Sequence, residues 1–258
     1  MNPNQGRVGF RRKLSAFEGL EKRKHQRDFL ENIINRPVDF LIKHDISPNI
    51  LSFVGLTLSI TAAILLICGI LYYSIYISWI IPFLIFWAGA FDIFDGEVAR
   101  RTNTVTKSGA FLDSNLDRIS DSVLILGLIY GGFFDFILGF IILFLVIMIS
   151  YIRSRAENEG VNMIGVGRME RAERLLSILG AIILDASFYY MTLLILGSPI
   201  TILIPHVTRI PVTPIFIIFI SLFFISLLYT VAQRIIHTYK NLKFSDKKEA
   251  ISYDLPSE

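Results

Sequence analysis

The chain has 258 residues, of which 53% are hydrophobic and only 18% charged, and its mean hydropathy is +0.58. A soluble domain carries about a quarter charged residues, so this composition excludes an ordinary water-soluble fold and points to a chain largely dissolved in lipid. The net charge of +3 gives no reason to expect a nucleic-acid partner, and the single cysteine, Cys68, excludes an intramolecular disulfide and a multi-cysteine metal site.

Residues 1–48 are polar and basic. The charged N-terminus has no apolar core, which argues against a cleavable signal peptide. Residues 1–15 read as a flexible basic tail. Residues 16–48 form a juxtamembrane segment, helical from about 16 to 44. There Phe29, Leu30, Ile33 and Ile34, then Val38, Leu41 and Ile42, share one face opposite the charges. Such a helix suits the inner surface of a lipid bilayer. Ser47-Pro48 then opens a helix, with Ser47 suited to the cap and Pro48 to the first turn.

Six apolar segments follow, at about 50–73, 77–99, 109–132, 134–155, 172–196 and 212–237, each near the ~20 residues needed to cross a bilayer. The expected fold is an all-α integral membrane protein, with six transmembrane helices over residues 49–239 and a polar tail at 240–258. The third segment is the least apolar, because Asp113, Asp117, Arg118 and Asp121 lie in its first half. Asp185 in the fifth has no evident partner. Lys and Arg collect at the termini and in the 2–3 and 4–5 loops, whereas the opposite loops carry only Arg209. By the positive-inside rule the termini and these two loops are cytoplasmic.

Asp92 to Asp117 is the stretch that composition alone does not explain. It reads D-I-F-D-G-E-V-A-R-R-T-N-T-V-T-K-S-G-A-F-L-D-S-N-L-D. Asp92 and Asp95 share a helix face, as do Asp113 and Asp117. An ionisable residue inside a span costs roughly 2.5–3.5 kcal/mol on insertion scales, so four of them call for a compensating role. All four fall at the cytoplasmic ends of the second and third spans. Oxygen ligands in this number favour hard divalent cations, Mg²⁺ or Mn²⁺, and two ions would nearly neutralise the cluster. Two-metal carboxylate sites recur in phosphoryl chemistry. Gly96 lets a ligand approach the backbone, Arg100 can grip a phosphate bidentately, and Gly109 keeps the facing wall thin.

The spacing D-x2-D-G-x2-A-R-x8-G-x3-D-x3-D is met in full by Asp92, Asp95, Gly96, Ala99, Arg100, Gly109, Asp113 and Asp117. It resembles the signature of the CDP-alcohol phosphatidyltransferases. Pro48-Asn49-Ile50-Leu51-Ser52 is similar to the family's opening of the first span. The resemblance implies transfer of a phosphatidyl-type group from a CDP-linked lipid (CDP-diacylglycerol or CDP-archaeol) to an alcohol, with release of CMP. By the same resemblance Asp92, Asp95 and Asp113 ligate two ions, with Asp92 bridging. Asp117, also counted among the metal residues, is the general base. Asn49, Ile50, Leu51, Ser52, Gly96, Arg100 and Thr106 hold the CDP part, and the protein is a homodimer.

The acceptor is read from a second basic region. S-Y-I-R-S-R-A-E-N-E-G from Ser150 and G-R-M-E-R-A-E-R-L-L from Gly167 gather arginines around one cytoplasmic loop, and Arg234 ends the last span. Arginines facing a metal site suit an acceptor that carries a phosphate. These segments resemble the inositol-phosphate-using branch, the phosphatidylinositol-phosphate and archaetidylinositol-phosphate synthases. That resemblance implies acceptor binding by Ser150, Arg153, Arg174 and Arg234, with Arg171 a further candidate. Glycerol phosphate is the alternative acceptor. A divalent cation transporter is the competing class, but the charges cluster at one end rather than along a path, and no internal repeat supports it.

Overall fold

The computed structural model describes residues 34–253, with side chains to residue 246. The tail at 1–15 and most of the juxtamembrane helix lie outside the described residues. The regular elements described are helical, apart from one isolated β-bridge between Ile202 and Val212. Helix α1 includes residues 34–43. α2 spans Pro48–Ile67 and is followed by a 3-10 turn at Ile70–Tyr72 and the short α3, Ile75–Ser78. Then come α4 (Ile80–Arg101), α5 (Lys107–Tyr130), α6 (Phe136–Asn158), α7 (Arg171–Leu196) and α8 (Pro214–Tyr253).

The starts of these helices have local causes. Pro48 opens α2 with a preset φ and no N–H to satisfy. Ser47 occupies the cap position but its side chain makes no capping bond, so the capping role expected of it is not made. Thr106 caps α5 by accepting a hydrogen bond from Gly109 N at 3.0 Å. Asp135 caps α6 by accepting from Ile137 N at 3.1 Å.

Three boundaries differ from the sequence expectation. The first helix ends at Ile67 rather than near 73, because Gly69 takes φ +71 and turns the chain into the 3-10 piece. The second begins at Ile80, after a separate α3. The last helix runs to Tyr253, through the stretch read as a C-terminal tail. That stretch carries four helix-forming lysines between Lys240 and Tyr253 and has no proline before Pro256.

Five helical stretches among the described residues are long and apolar enough to cross a membrane: α2, Ile75–Arg101, α6, α7, and α8 to Asp246. Their outward faces carry Phe83, Phe86, Phe140, Phe144, Ile218 and Leu222, all exposed. Such a surface suits lipid and not water. α5 is not among the five, because its first fifteen residues carry three aspartates, an arginine and a lysine. Its second half nonetheless packs inside the bundle. Leu124, Ile125, Leu128 and Ile129 are buried in the main core with Ala62, Leu66, Ile81 and Ile85.

The contact between α2 and α5 depends on a glycine. A Cβ on Gly127 would come within 2.8 Å of both Ala63 Cα and Cβ. Gly127→Val therefore forces the two helices apart. The expected loss is about 1–3 kcal/mol, read as a lower thermal midpoint in detergent, while a surface change such as Phe144→Leu leaves the midpoint in place.

At one end of the bundle Asp185 is fully buried. It accepts hydrogen bonds from Thr213 N at 3.2 Å, Thr213 Oγ1 at 2.6 Å and Tyr72 OH at 2.6 Å. These are the partners the sequence did not reveal. They tie the 3-10 turn, α7 and the start of α8 together. At the other end α1 docks through Val38 and Leu41, which pack with Leu51, Phe94 and Val98. Arg101 reaches back from α4 to Asp39 at 3.0 Å and to Asn35.

Candidate active site

The end of α4 and the start of α5 meet at the end of the bundle where α1 docks. Asp92, Asp95 and Asp113 each offer an oxygen, and these oxygens all lie within 4.8 Å of one another. The set is oxygen-only and anionic, which fits a hard divalent cation. Asp95 is buried, and Ser52 Oγ from the first turn of α2 donates to its Oδ2 at 2.5 Å. Asp117 stands one turn further along α5, outside that triple. Its Oδ1 is 3.1 Å from Arg171 Nη2, and the same guanidinium also pairs with Asp92. The two carboxylates of one helix face are thus pulled toward different neighbours, Asp113 to the triple and Asp117 to an arginine.

Two hollows open on either side of the carboxylates. The first is a groove of about 790 Å³ between the α1–α2 turn, α4 and the start of α5. Asn49, Ser52, Gly96, Arg100 and Thr106 line it, together with Asp95. Ile50 and Leu51 do not. Asn49 and Ser52 are three apart and share a helix face. Leu51 turns into the small core under α1, and Ile50 is exposed. Arg100 is itself mostly exposed and pairs with Glu97 at 2.8 Å. Such a pair is screened by solvent and readily exchanged.

The second hollow is a cavity of about 390 Å³ between α5, α6, α7 and α8. All five acceptor candidates line it: Ser150, Arg153, Arg171, Arg174 and Arg234, with Asp117 on the wall. Asp113 lines both hollows. Both volumes fall in the range of about 300–1,000 Å³ usual for small-molecule sites.

The arginines are held to different degrees. Arg234 is only 2% exposed, and donates from Nε to Val166 O at 2.9 Å and from Nη1 to Ile149 O at 2.7 Å. That packing needs Gly167, whose φ is +108 and whose Cβ would sit 2.9 Å from Arg234 Nε. Arg174 is 4% exposed and donates to Met169 O at 3.1 Å. Its Nη2 lies 2.5 Å from Asp121 Oδ2. Arg153 is half-exposed and pairs with Glu157 at 2.9 Å. The Nε atoms of Arg171 and Arg174 are buried with no hydrogen-bond partner. An unsatisfied buried donor costs about 1–3 kcal/mol.

The role of Asp121 in this wall was not read from sequence, where it lowered the hydropathy of the third segment and ended the D-R-I-S-D run, Asp117 to Asp121, that is similar to the inositol-phosphate-using branch. Its signal was present: a third carboxylate at four-residue spacing after Asp113 and Asp117, on a helix that is otherwise apolar toward its far end.

The family model for CDP-alcohol phosphatidyltransferases matches residues 45–239. The chain belongs to that family. It is a multi-pass membrane enzyme, and the carboxylates described above lie in the segment that carries the signature. Among relatives, the archaetidylinositol phosphate synthase of Methanothermobacter thermautotrophicus is 47% identical over 92 residues, 36% of this chain and 47% of the relative. That of Pyrococcus horikoshii is 36% identical over 143 residues, 55% of this chain and 71% of the relative. The crystal structure of Mycobacterium tuberculosis phosphatidylinositol phosphate synthase with CDP-DAG bound superposes with a TM-score of 0.60 at 26% identity, covering 81% of this chain and 94% of that one. A second structure of the same protein, in complex with manganese and citrate, gives a TM-score of 0.60 at 26% identity and covers 80% and 88%.

Proposed function

We propose that the enzyme transfers a lipid phosphoryl group from a CDP-linked lipid to a hydroxyl of inositol phosphate, releasing CMP. The observation that carries this reading is that one carboxylate, Asp113, borders both the groove and the arginine-lined cavity. A donor in the groove and a phosphorylated acceptor in the cavity would meet at the aspartates. The names of the relatives, archaetidylinositol phosphate synthases, point to the same acceptor.

On this reading Asn49, Ser52, Gly96, Arg100 and Thr106 bind the CDP part, and Arg100 exchanges Glu97 for a phosphate oxygen. Asp92, Asp95 and Asp113 hold two divalent ions, Mg²⁺ or Mn²⁺. When bound, these neutralise charge on the diphosphate and on the departing CMP. Ser52 orients Asp95. Arg174 and Arg234, fixed by backbone carbonyls, take the acceptor phosphate, with Ser150, Arg153 and Arg171 around it. Asp117 accepts the proton of the attacking hydroxyl as its oxygen bonds to the lipid-bearing phosphorus and the bond to CMP breaks. α5 is the sixth crossing, with its apolar second half packed in the main core and its polar half at the site. With six crossings both termini and the site lie on the cytoplasmic side.

Purified protein is given CDP-diacylglycerol or CDP-archaeol with Mn²⁺, and a panel of inositol phosphate, glycerol phosphate, inositol and serine. CMP release is expected with inositol phosphate and not with inositol or serine. Release only with glycerol phosphate moves the acceptor to that alternative. Release with none overturns the reading.

A further inference from the structure

We propose that Asp121 is a positioning residue for the acceptor, holding the guanidinium of Arg174 in a fixed orientation before the acceptor phosphate arrives. This rests on the acceptor reading above and deepens it.

Asp121 lies one helical turn beyond Asp117 on α5, on the wall of the arginine-lined cavity. Arg171 and Arg174 are three apart on α7 and face it. Asp121 stands between them: Oδ2 is 2.5 Å from Arg174 Nη2, and Oδ1 is 3.9 Å from Arg171 Nε. Arg174 is gripped on a second side by Met169 O, which accepts from Nη1 at 3.1 Å. Two of its three nitrogens are therefore committed, and Nε is the one without a partner. A planar guanidinium held at two corners cannot turn, so the second hydrogen on each Nη, rather than the buried Nε, keeps a fixed direction.

Burial separates this pair from the others around the cavity. Asp121 and Arg174 are 8% and 4% exposed, so solvent does not screen them. Arg153 and Glu157 pair at comparable length but are half-exposed, and an exposed pair fixes little. Asp121 also continues a chain of ion pairs. Through Arg171 it connects to Asp117 and Asp92. The groups proposed to bind the acceptor and the group proposed to take its proton thus share one braced wall.

Two effects oppose each other when Asp121 is neutralised. The cavity gains a net positive charge, which favours a phosphate. Arg174 loses its fixed direction, which disfavours it. With Asp92, Asp113 and Asp117 still alongside, one charge changes the potential modestly, whereas a misaimed fork loses its charge-assisted hydrogen bond. Orientation therefore dominates.

The test is steady-state kinetics on Asp121→Asn and Asp121→Glu, with Mn²⁺ binding followed separately by calorimetry. In both variants KM for inositol phosphate is expected to rise by about tenfold or more, with kcat, KM for the CDP-lipid and Mn²⁺ affinity within about threefold of wild type. Asp121→Glu keeps the charge and moves it by one methylene, so it reads orientation alone, and it serves where Asp121→Asn does not fold. An unchanged or lowered acceptor KM in a folded variant overturns the proposal, as does an equal loss toward the CDP-lipid. Wild-type protein that releases no CMP with any acceptor overturns the acceptor reading, and this proposal with it.

Discussion

Asp117→Asn is expected to reduce CMP release by at least about 10²-fold, within the 10²–10⁴-fold range of a positioned general base, while Mn²⁺ and the CDP-lipid still bind. The substitution keeps the shape and removes the basic oxygen. Asp117 lies outside the triple of carboxylate oxygens that approach within 4.8 Å of one another, and it contacts the guanidinium of Arg171 and the carboxyl of Asp92. An asparagine there leaves Asp92, Asp95 and Asp113 their full charge. Arg171, freed from Asp117, then leans further on Asp92, and this competition lowers metal affinity somewhat without abolishing it. Turnover is read by chromatography of CMP, and metal binding by calorimetry on the same preparation. Loss of Mn²⁺ binding in Asp117→Asn would make Asp117 a ligand instead of the base.

Asp113→Asn is expected to cost the most on the metal side. Groups that merely orient ligands cost about 10–100-fold in metal affinity when removed, so a direct carboxylate ligand costs at least that. Asp113 also joins the groove to the cavity, so its loss is expected to stop turnover at any Mn²⁺ concentration reached in the assay. Ser52→Ala grades the same effect. Its hydroxyl touches Asp95 at 2.5 Å, so it falls in the 10–100-fold class, and excess Mn²⁺ restores its rate. If Ser52→Ala instead raises KM for the CDP-lipid with metal affinity intact, Ser52 belongs to the nucleotide groove and not to the metal. Adding a chelator to wild type abolishes CMP release, and readdition of Mn²⁺ or Mg²⁺ restores it.

Much of the site was legible because its spacings are local. Asp92 with Asp95, and Asp113 with Asp117, share helix faces by the geometry of one helix, and the glycines and Arg100 fall within the same two turns. The apolar runs marked helix positions to within a few residues for the same reason. Composition resolved α5 less well. Its aspartates depress hydropathy because that half of the helix lines the two polar hollows, and a linear hydropathy pattern does not tell a polar site within a bundle from a helix in water.

The sequence by itself determined the reaction family, the four aspartates and the helical membrane scaffold. Each depends on residues within a few turns of one another, where helix periodicity fixes relative position. Only the tertiary structure decided that arginines from three helices share one cavity with Asp117. It also decided that Asp121 braces Arg174 across 53 residues of chain, and that Asp185 is satisfied by Tyr72 and Thr213, 113 and 28 residues away. It separated Asn49 and Ser52, which face the groove, from Ile50 and Leu51, which do not. These pairings follow from how whole helices pack, through close approaches such as Gly127 on Ala63. The long-range partner of a buried charge is set by that packing and leaves no mark in the local pattern of the chain.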